Sequence, residues 1–180
     1  EFRRVLFRSP TSALASSACL RREALRCAGL GLAALLPALA LAECAEVSQG
    51  DLSIRAAWSR ATIGTARPAV FYVTIQNNGS TDDRLTGIET SVAGMPMLHE
   101  TVMTDGVASM PHATAIDIPA GETVSLAPGG FHGMLMDIEE ELKEGESFPV
   151  ALQFEKAGEV SIDTEVLPIR AREAACGATP

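Results

Sequence analysis

LHETVMTDGVASMPH, residues 98–112, holds the key to the fold. Asp105-Gly106 is a two-residue turn signal of the kind that joins adjacent antiparallel strands, because both positions tolerate positive φ. Leu98 to Met103 then reads as one strand, with Val107 to His112 returning beside it. With 104 opposite 107, His99 faces His112, Thr101 faces Met110 and Met103 faces Ala108, all on one face. Met110 becomes a diagonal neighbour of His99, about 7–8 Å away and within reach of a long side chain.

The same grammar extends in both directions. Upstream, Phe71, Val73 and Ile75 alternate with Tyr72, Thr74 and Gln76 as a half-buried strand, closed by Asn77-Asn78-Gly79-Ser80. Downstream, strands are expected at 114–118, 122–126, 131–137, 147–155 and 158–167, separated mainly by Gly- and Pro-containing turns. Asp137 to Glu146 is acidic and reads as a solvated loop or one short helix. Short strands at close spacing imply an all-β chain, an antiparallel sandwich or barrel in a single domain.

The chain has 180 residues and a formal charge of −9, unevenly spread. Residues 1–42 carry +4 and residues 43–180 carry −13. So acidic a body disfavours docking on nucleic acid or anionic lipid. The basic, apolar head reads as processing rather than fold. Residues 1–9, EFRRVLFRS, resemble translated sequencing adapter. Within 10–42, Arg21, Arg22 and Arg26 precede an apolar run from Ala28 to Leu41 that ends in Ala40-Leu41-Ala42. That is the pattern of a secretory signal peptide cleaved after Ala42, and it predicts export from the cytoplasm. The run is too short to span a bilayer. Arg21-Arg22 loosely resembles a twin-arginine signal. Residues 43–168 are then the folded domain, and 169–180 a short tail frayed from Arg170 onward.

Only Cys44 and Cys176 remain after such cleavage. They form no C-x-x-C pair, which disfavours a thiol–disulfide oxidoreductase. A structural disulfide between them is compatible with an oxidising compartment, but sequence cannot show proximity. Glu43 stands where a lipoprotein anchor at Cys44 would need a small residue.

All six Met (95, 97, 103, 110, 134, 136) and all three His (99, 112, 132) lie between residues 95 and 136. Gap-filling Met would be drawn from every strand of a core, whereas these come from three neighbouring ones. His132, Met134 and Met136 share a strand face by period-two alternation. If that strand lies across from the hairpin, imidazoles and thioethers converge. Thioethers are soft ligands that select Cu(I), and imidazole binds copper, zinc or nickel. A blue-copper centre is excluded, since it needs a Cys thiolate and none lies between 45 and 175. No G-x-S-x-G, H-E-x-x-H or phosphate-cradling Gly loop is present.

His99, Met110, His132 and Met134 fall in the pattern His-x10-Met-x21-His-x-Met. With the segments LHETVMTDGVASM and PGGFHGMLM, this resembles the periplasmic copper chaperone family PCu(A)C over roughly 50–168. The resemblance implies a cupredoxin-like Greek-key β-sandwich that binds one Cu(I) through those four residues and is not an enzyme. It also implies delivery to the Cu(A) centre of cytochrome c oxidase, with an oxidase subunit or another copper chaperone as partner. The tail has neither His nor Met, so a second Cu(II) site of the sort some members carry is not expected in it. Met97, Met103, His112 and Met136 stand outside the motif and are expected to pack or support. Two other classes stay open at this level: an extracytoplasmic interaction sandwich with a Met-rich face, and a redox enzyme using copper or Cys44 and Cys176.

Overall fold

A computed structural model describes residues 44–176. The adapter-like residues 1–9, the signal-peptide region 10–42 and the last four residues lie outside the described residues. Within them there are twelve strands and no helix. They run β1 (Glu46–Gln49), β2 (Leu52–Arg60), β3 (Ala69–Asn77), β4 (Asp83–Glu89), β5 (Ala93–Glu100), β6 (Val102–Thr104), β7 (Val107–Ser109), β8 (Ile116–Ile118), β9 (Thr123–Leu126), β10 (Phe131–Ile138), β11 (Ser147–Phe154) and β12 (Gly158–Leu167). Each strand expected from Phe71 onward has a counterpart, although the return strand ends at Ser109 and not at His112, and β4 and the first half of β5 were not expected. The acidic stretch after Ile138 is a loop, anchored by buried Leu142.

Ten strands form one sheet, eight of them along the hydrogen-bonded path β5-β10-β3-β2-β12-β11-β4-β8, with β1 added on β2 and β9 on β3. Crossovers place β10 between β5 and β3, and β12 beside β2 in the one parallel pairing. The path curls on itself. Gly133 of β10 meets Ile88 of β4 so closely that an added Cβ would lie 2.7 Å from its Cδ1. The enclosed core takes one face of each strand: Phe71, Val73 and Ile75 from β3, Leu98 from β5, Leu135 from β10, Val150 and Leu152 from β11, Ile162 and Val166 from β12. Alternation is cleanest in β12, where Val160, Ile162 and Thr164 are buried between exposed neighbours and Val166 follows in phase. This is the cupredoxin-like β-sandwich that the family resemblance implies.

Two features were not legible in the sequence. A β-bulge interrupts the β2–β3 ladder between Arg55 and Trp58, with Ala56 at φ 53°. The extra residue reverses the side-chain phase. Ile54 therefore faces the core, while Trp58 turns to the opposite face and packs on Tyr72, ring centroids 4.5 Å apart. The second is the chain end. Arg170 onward is not frayed through the described residues. Cys176 is disulfide-bonded to Cys44, with Cα atoms 5.2 Å apart, inside the usual range for such a bridge. Ala174 is buried against Trp58, Tyr72 and Leu167, and the Arg60 guanidinium donates to the Ala171 carbonyl at 2.8 Å. The tail is a strap over the outer face of the sheet.

Candidate metal centre

The site grows from the hairpin. Asp105 and Gly106 take φ of 53° and 79°, the conformation that the two-residue turn requires. Met103 pairs with Ala108 and Thr104 with Val107, the register expected. Further out, His99 bridges His112 in the same register. One expected pair does not form. The ladder breaks at Thr101: its N–H points away from the hairpin and donates to Gly130 O at 3.1 Å, and Pro111, next to Met110, has no N–H to return to Glu100. β6 and β7 thus stand off as a separate two-stranded ribbon. Met110 is left past the end of β7, half exposed.

β10 lies directly against β5, closer than an arrangement of facing layers would bring it. His132 pairs with His99, Met134 with Met97 and Met136 with Met95. The core side chains Leu98 and Leu135 take the inner face, so the His and Met residues share the outer one. The His99 and His132 rings sit with centroids 6.0 Å apart, and His112 lies 6.0 Å from His99 on the other side. His132 is buried, His99 half-buried and His112 exposed.

The hydrogen bonds fix the tautomers. His99 Nδ1 lies 3.0 Å from Met110 O, and His132 Nδ1 lies 3.1 Å from Gly130 O. A carbonyl oxygen only accepts, so each Nδ1 carries a proton and donates it. In the neutral imidazole, Nε2 is then an unprotonated lone-pair donor. Nε2 of His99 is buried and has no hydrogen-bond partner. A buried polar atom left alone costs about 1–3 kcal/mol, and a metal bond at that atom would remove the cost. Backbone-tied Nδ1 with a free Nε2 is how metal-binding imidazoles are commonly held.

The donor set bears on which metal. Among the described residues, no three of His, Cys, Asp and Glu converge as a metal-binding group. Any ion held by His99 and His132 must be completed by something else, and the neighbouring side chains are thioethers. Met134 is two residues along from His132 on the same face. Met110 is tied to His99 through its own backbone carbonyl, so the hairpin that orients the ring also keeps this residue beside it. Such a mixture of imidazole and thioether suits Cu(I) and is poor for hard divalent ions.

Comparison with known proteins supports this reading of the fold. Residues 52–166 match the model of a family described as "Putative lipoprotein LpqE-like". A curated relative, "Putative lipoprotein Lxx21020" of Leifsonia xyli subsp. xyli (strain CTCB07), is 38% identical over 104 residues, or 57% of this chain and 61% of the relative. The match thus spans about three fifths of that relative's length. Among solved structures, the copper-bound PCuAC domain from PmoF2 is 31% identical with a TM-score of 0.60, covering 69% of this chain and 98% of that one. The apo PCuAC domain from PmoF1 gives 31% and 0.59, covering 68% and 98%. The solution structure of CuI-DR1885 from Deinococcus radiodurans gives 27% and 0.54, covering 68% and 80%.

Proposed function

The chain belongs to the "Putative lipoprotein LpqE-like" family, and from that footing we propose that it is an extracytoplasmic Cu(I) carrier, not an enzyme, that holds one ion through His99, Met110, His132 and Met134. The observation that carries the reading is the imidazole pair. Two rings lie side by side with Nδ1 tied to backbone carbonyls and Nε2 free, one Nε2 buried and unpartnered, on a face built of thioethers. Two solved relatives of the same fold are described as copper-bound and CuI forms, which supports copper as the cargo and Cu(I) as its state.

The geometry suits holding and then releasing. His132 is buried and both rings are fixed by main chain, so they form the constant half of the site. Met110 is about half exposed at the end of a two-stranded ribbon. An incoming ligand from a partner can displace that sulfur first, and the ion can pass by ligand exchange with its oxidation state unchanged. The partner that best fits such a donor is another copper site; delivery toward the Cu(A) centre of cytochrome c oxidase, directly or through another copper chaperone, is the fuller form of the proposal.

An extracytoplasmic, periplasmic setting is supported by the Cys44–Cys176 bridge, because disulfides persist in oxidising compartments. The relatives' description as lipoproteins points the same way. Cys44 itself is not the anchor in this fold, since its sulfur is engaged in the disulfide. Among the described residues, no helix is long and apolar enough to cross a membrane.

The test is competition for Cu(I) against a chromophoric chelator, with Zn(II) in parallel. One Cu(I) per chain is expected, with Zn(II) held far more weakly. Met110→Leu and Met134→Leu keep volume and apolarity while deleting sulfur. Each should lower affinity by at least about tenfold, the scale lost with even a supporting contact at a metal site. His112→Ala should leave affinity unchanged. No uptake, equal retention of Zn(II), or a double Leu variant that binds like the parent would overturn the proposal.

A further inference from the structure

The proposed ligand set leaves three thioethers of the same strand pair unused. Met95 lies directly opposite Met136, and Met97 opposite Met134, in an unbroken register that continues from His99 and His132. All six therefore stand on one face in three rows: imidazole pair, thioether pair, thioether pair. The inner face of these strands already has its core residues in Leu98 and Leu135. Met95 is 50% exposed, and Met97 and Met136 are half-buried. Gap filling in a core is therefore not what these residues do. β5 is also the end of the hydrogen-bonded path. Edge strands are commonly blunted with charge, whereas this one presents long apolar side chains.

We propose that Met95, Met97 and Met136 form a second, weaker Cu(I) site beside the first. Residues directly opposite on an antiparallel pair have Cβ atoms about 4.5–5.5 Å apart, and diagonal ones remain within reach of long side chains at about 7–8 Å. Met95 and Met136 can thus close on one ion from opposite strands, with Met97 as the diagonal third ligand. Three neutral thioethers with no imidazole select Cu(I) or Ag(I) over Zn(II) and Ni(II). Two residues of strand separate the rows, about 7 Å. Met97 and Met134 face each other between the two centres, so an ion can step from one ligand set to the other by exchanging sulfurs. No electron or proton moves. The inference rests on the proposed carrier site, from which it takes both the soft monovalent ion and the neighbouring ligand Met134.

The experiment labels the ε-methyl carbons of the six Met and titrates the protein with Cu(I) without oxygen, and separately with Ag(I). The first equivalent is expected to shift the Met110 and Met134 signals. The second is expected to shift Met95, Met97 and Met136, leaving Met103 in place. Met95→Leu/Met136→Leu, a volume-conserving change at partly exposed positions, should abolish the second equivalent and retain the first. Failure to take up a second equivalent, a second equivalent that moves Met103 instead, or its survival in the double variant would each overturn the inference. A first equivalent that bypasses Met110 and Met134 would overturn the carrier site instead, so the two failures are separable.

Discussion

Removing the bridge between Cys44 and Cys176 should cost this domain much of its stability. The two residues are 132 apart in sequence, so the crosslink closes nearly the entire described chain into one loop. In the chain-entropy account, denying the unfolded state the freedom of a loop that long is about 17 cal/mol/K, or about 5 kcal/mol at 25 °C. Whole domains are stable by only about 5–15 kcal/mol. Part of the effect is local. The bridge holds the strap that buries Ala174 against Trp58 and Tyr72, and those contacts should loosen in Cys44→Ala/Cys176→Ala. The assay is urea unfolding of the oxidised parent and the double variant. With slopes of about 1–3 kcal/mol/M, the midpoint should fall by well over 1 M, and the slope should rise because the unfolded chain is no longer tethered. The chain has one Trp, and it lies directly under the strap. Its fluorescence in the variant should therefore shift before the far-ultraviolet dichroism of the sheet does. Coincident midpoints for parent and variant would refute the crosslink reasoning. An unchanged Trp58 signal would refute the strap.

Gly133→Ala should destabilise the fold by about 1–3 kcal/mol through overpacking, because the new Cβ would lie 2.7 Å from Ile88 Cδ1 and 3.1 Å from Phe71 Cβ. Since Gly133 separates His132 from Met134, Cu(I) affinity should drop with it; a variant with parental urea midpoint and affinity would contradict the packing described. Burial raises the pKa of Tyr72 above the usual phenol value, with the Arg60 charge pulling the other way. The fold thus favours the neutral phenol, a contribution complete below about pH 10 and lost as pH rises through the raised value. Urea midpoints should fall in that range for the parent and fall less for Tyr72→Phe. The chain has a single Tyr, so its absorbance titration reports the shift directly, and a midpoint at or below 10 would contradict it.

The parts of this site that the sequence discloses are the local ones. Two residues with positive φ set the hairpin register, so the His99–His112 bridge could be counted off from Asp105-Gly106. The single-residue gap between His132 and Met134 is strand alternation and nothing more. What could not be counted off is the pairing of β5 with β10, because a strand carries no mark of which other strand it will join. β1 and β2 were missed for related reasons. β1 is short and mostly polar, and the bulge at Ala56 breaks the alternation that would have announced β2 and hides the outward turn of Trp58.

The three gaps of the His-x10-Met-x21-His-x-Met pattern therefore differ in kind. The first spans a tight ribbon and returns Met110 close enough for its carbonyl to orient His99. The last is one step of pleat. The 21 residues between Met110 and His132 have no local meaning: they are the chain needed for β8 to pair with β4 and β9 with β3 before β10 inserts between β3 and β5. Only that insertion sets His132 against His99, and the same register unavoidably aligns Met134 with Met97 and Met136 with Met95. A single register thus creates both the imidazole pair and the thioether rows beside it, so a slip of one residue in β10 would turn every donor on that strand to the core face. The close fit of Gly133 between Ile88 and Phe71 resists such a slip, since a one-residue shift would press a side chain where only hydrogen now fits.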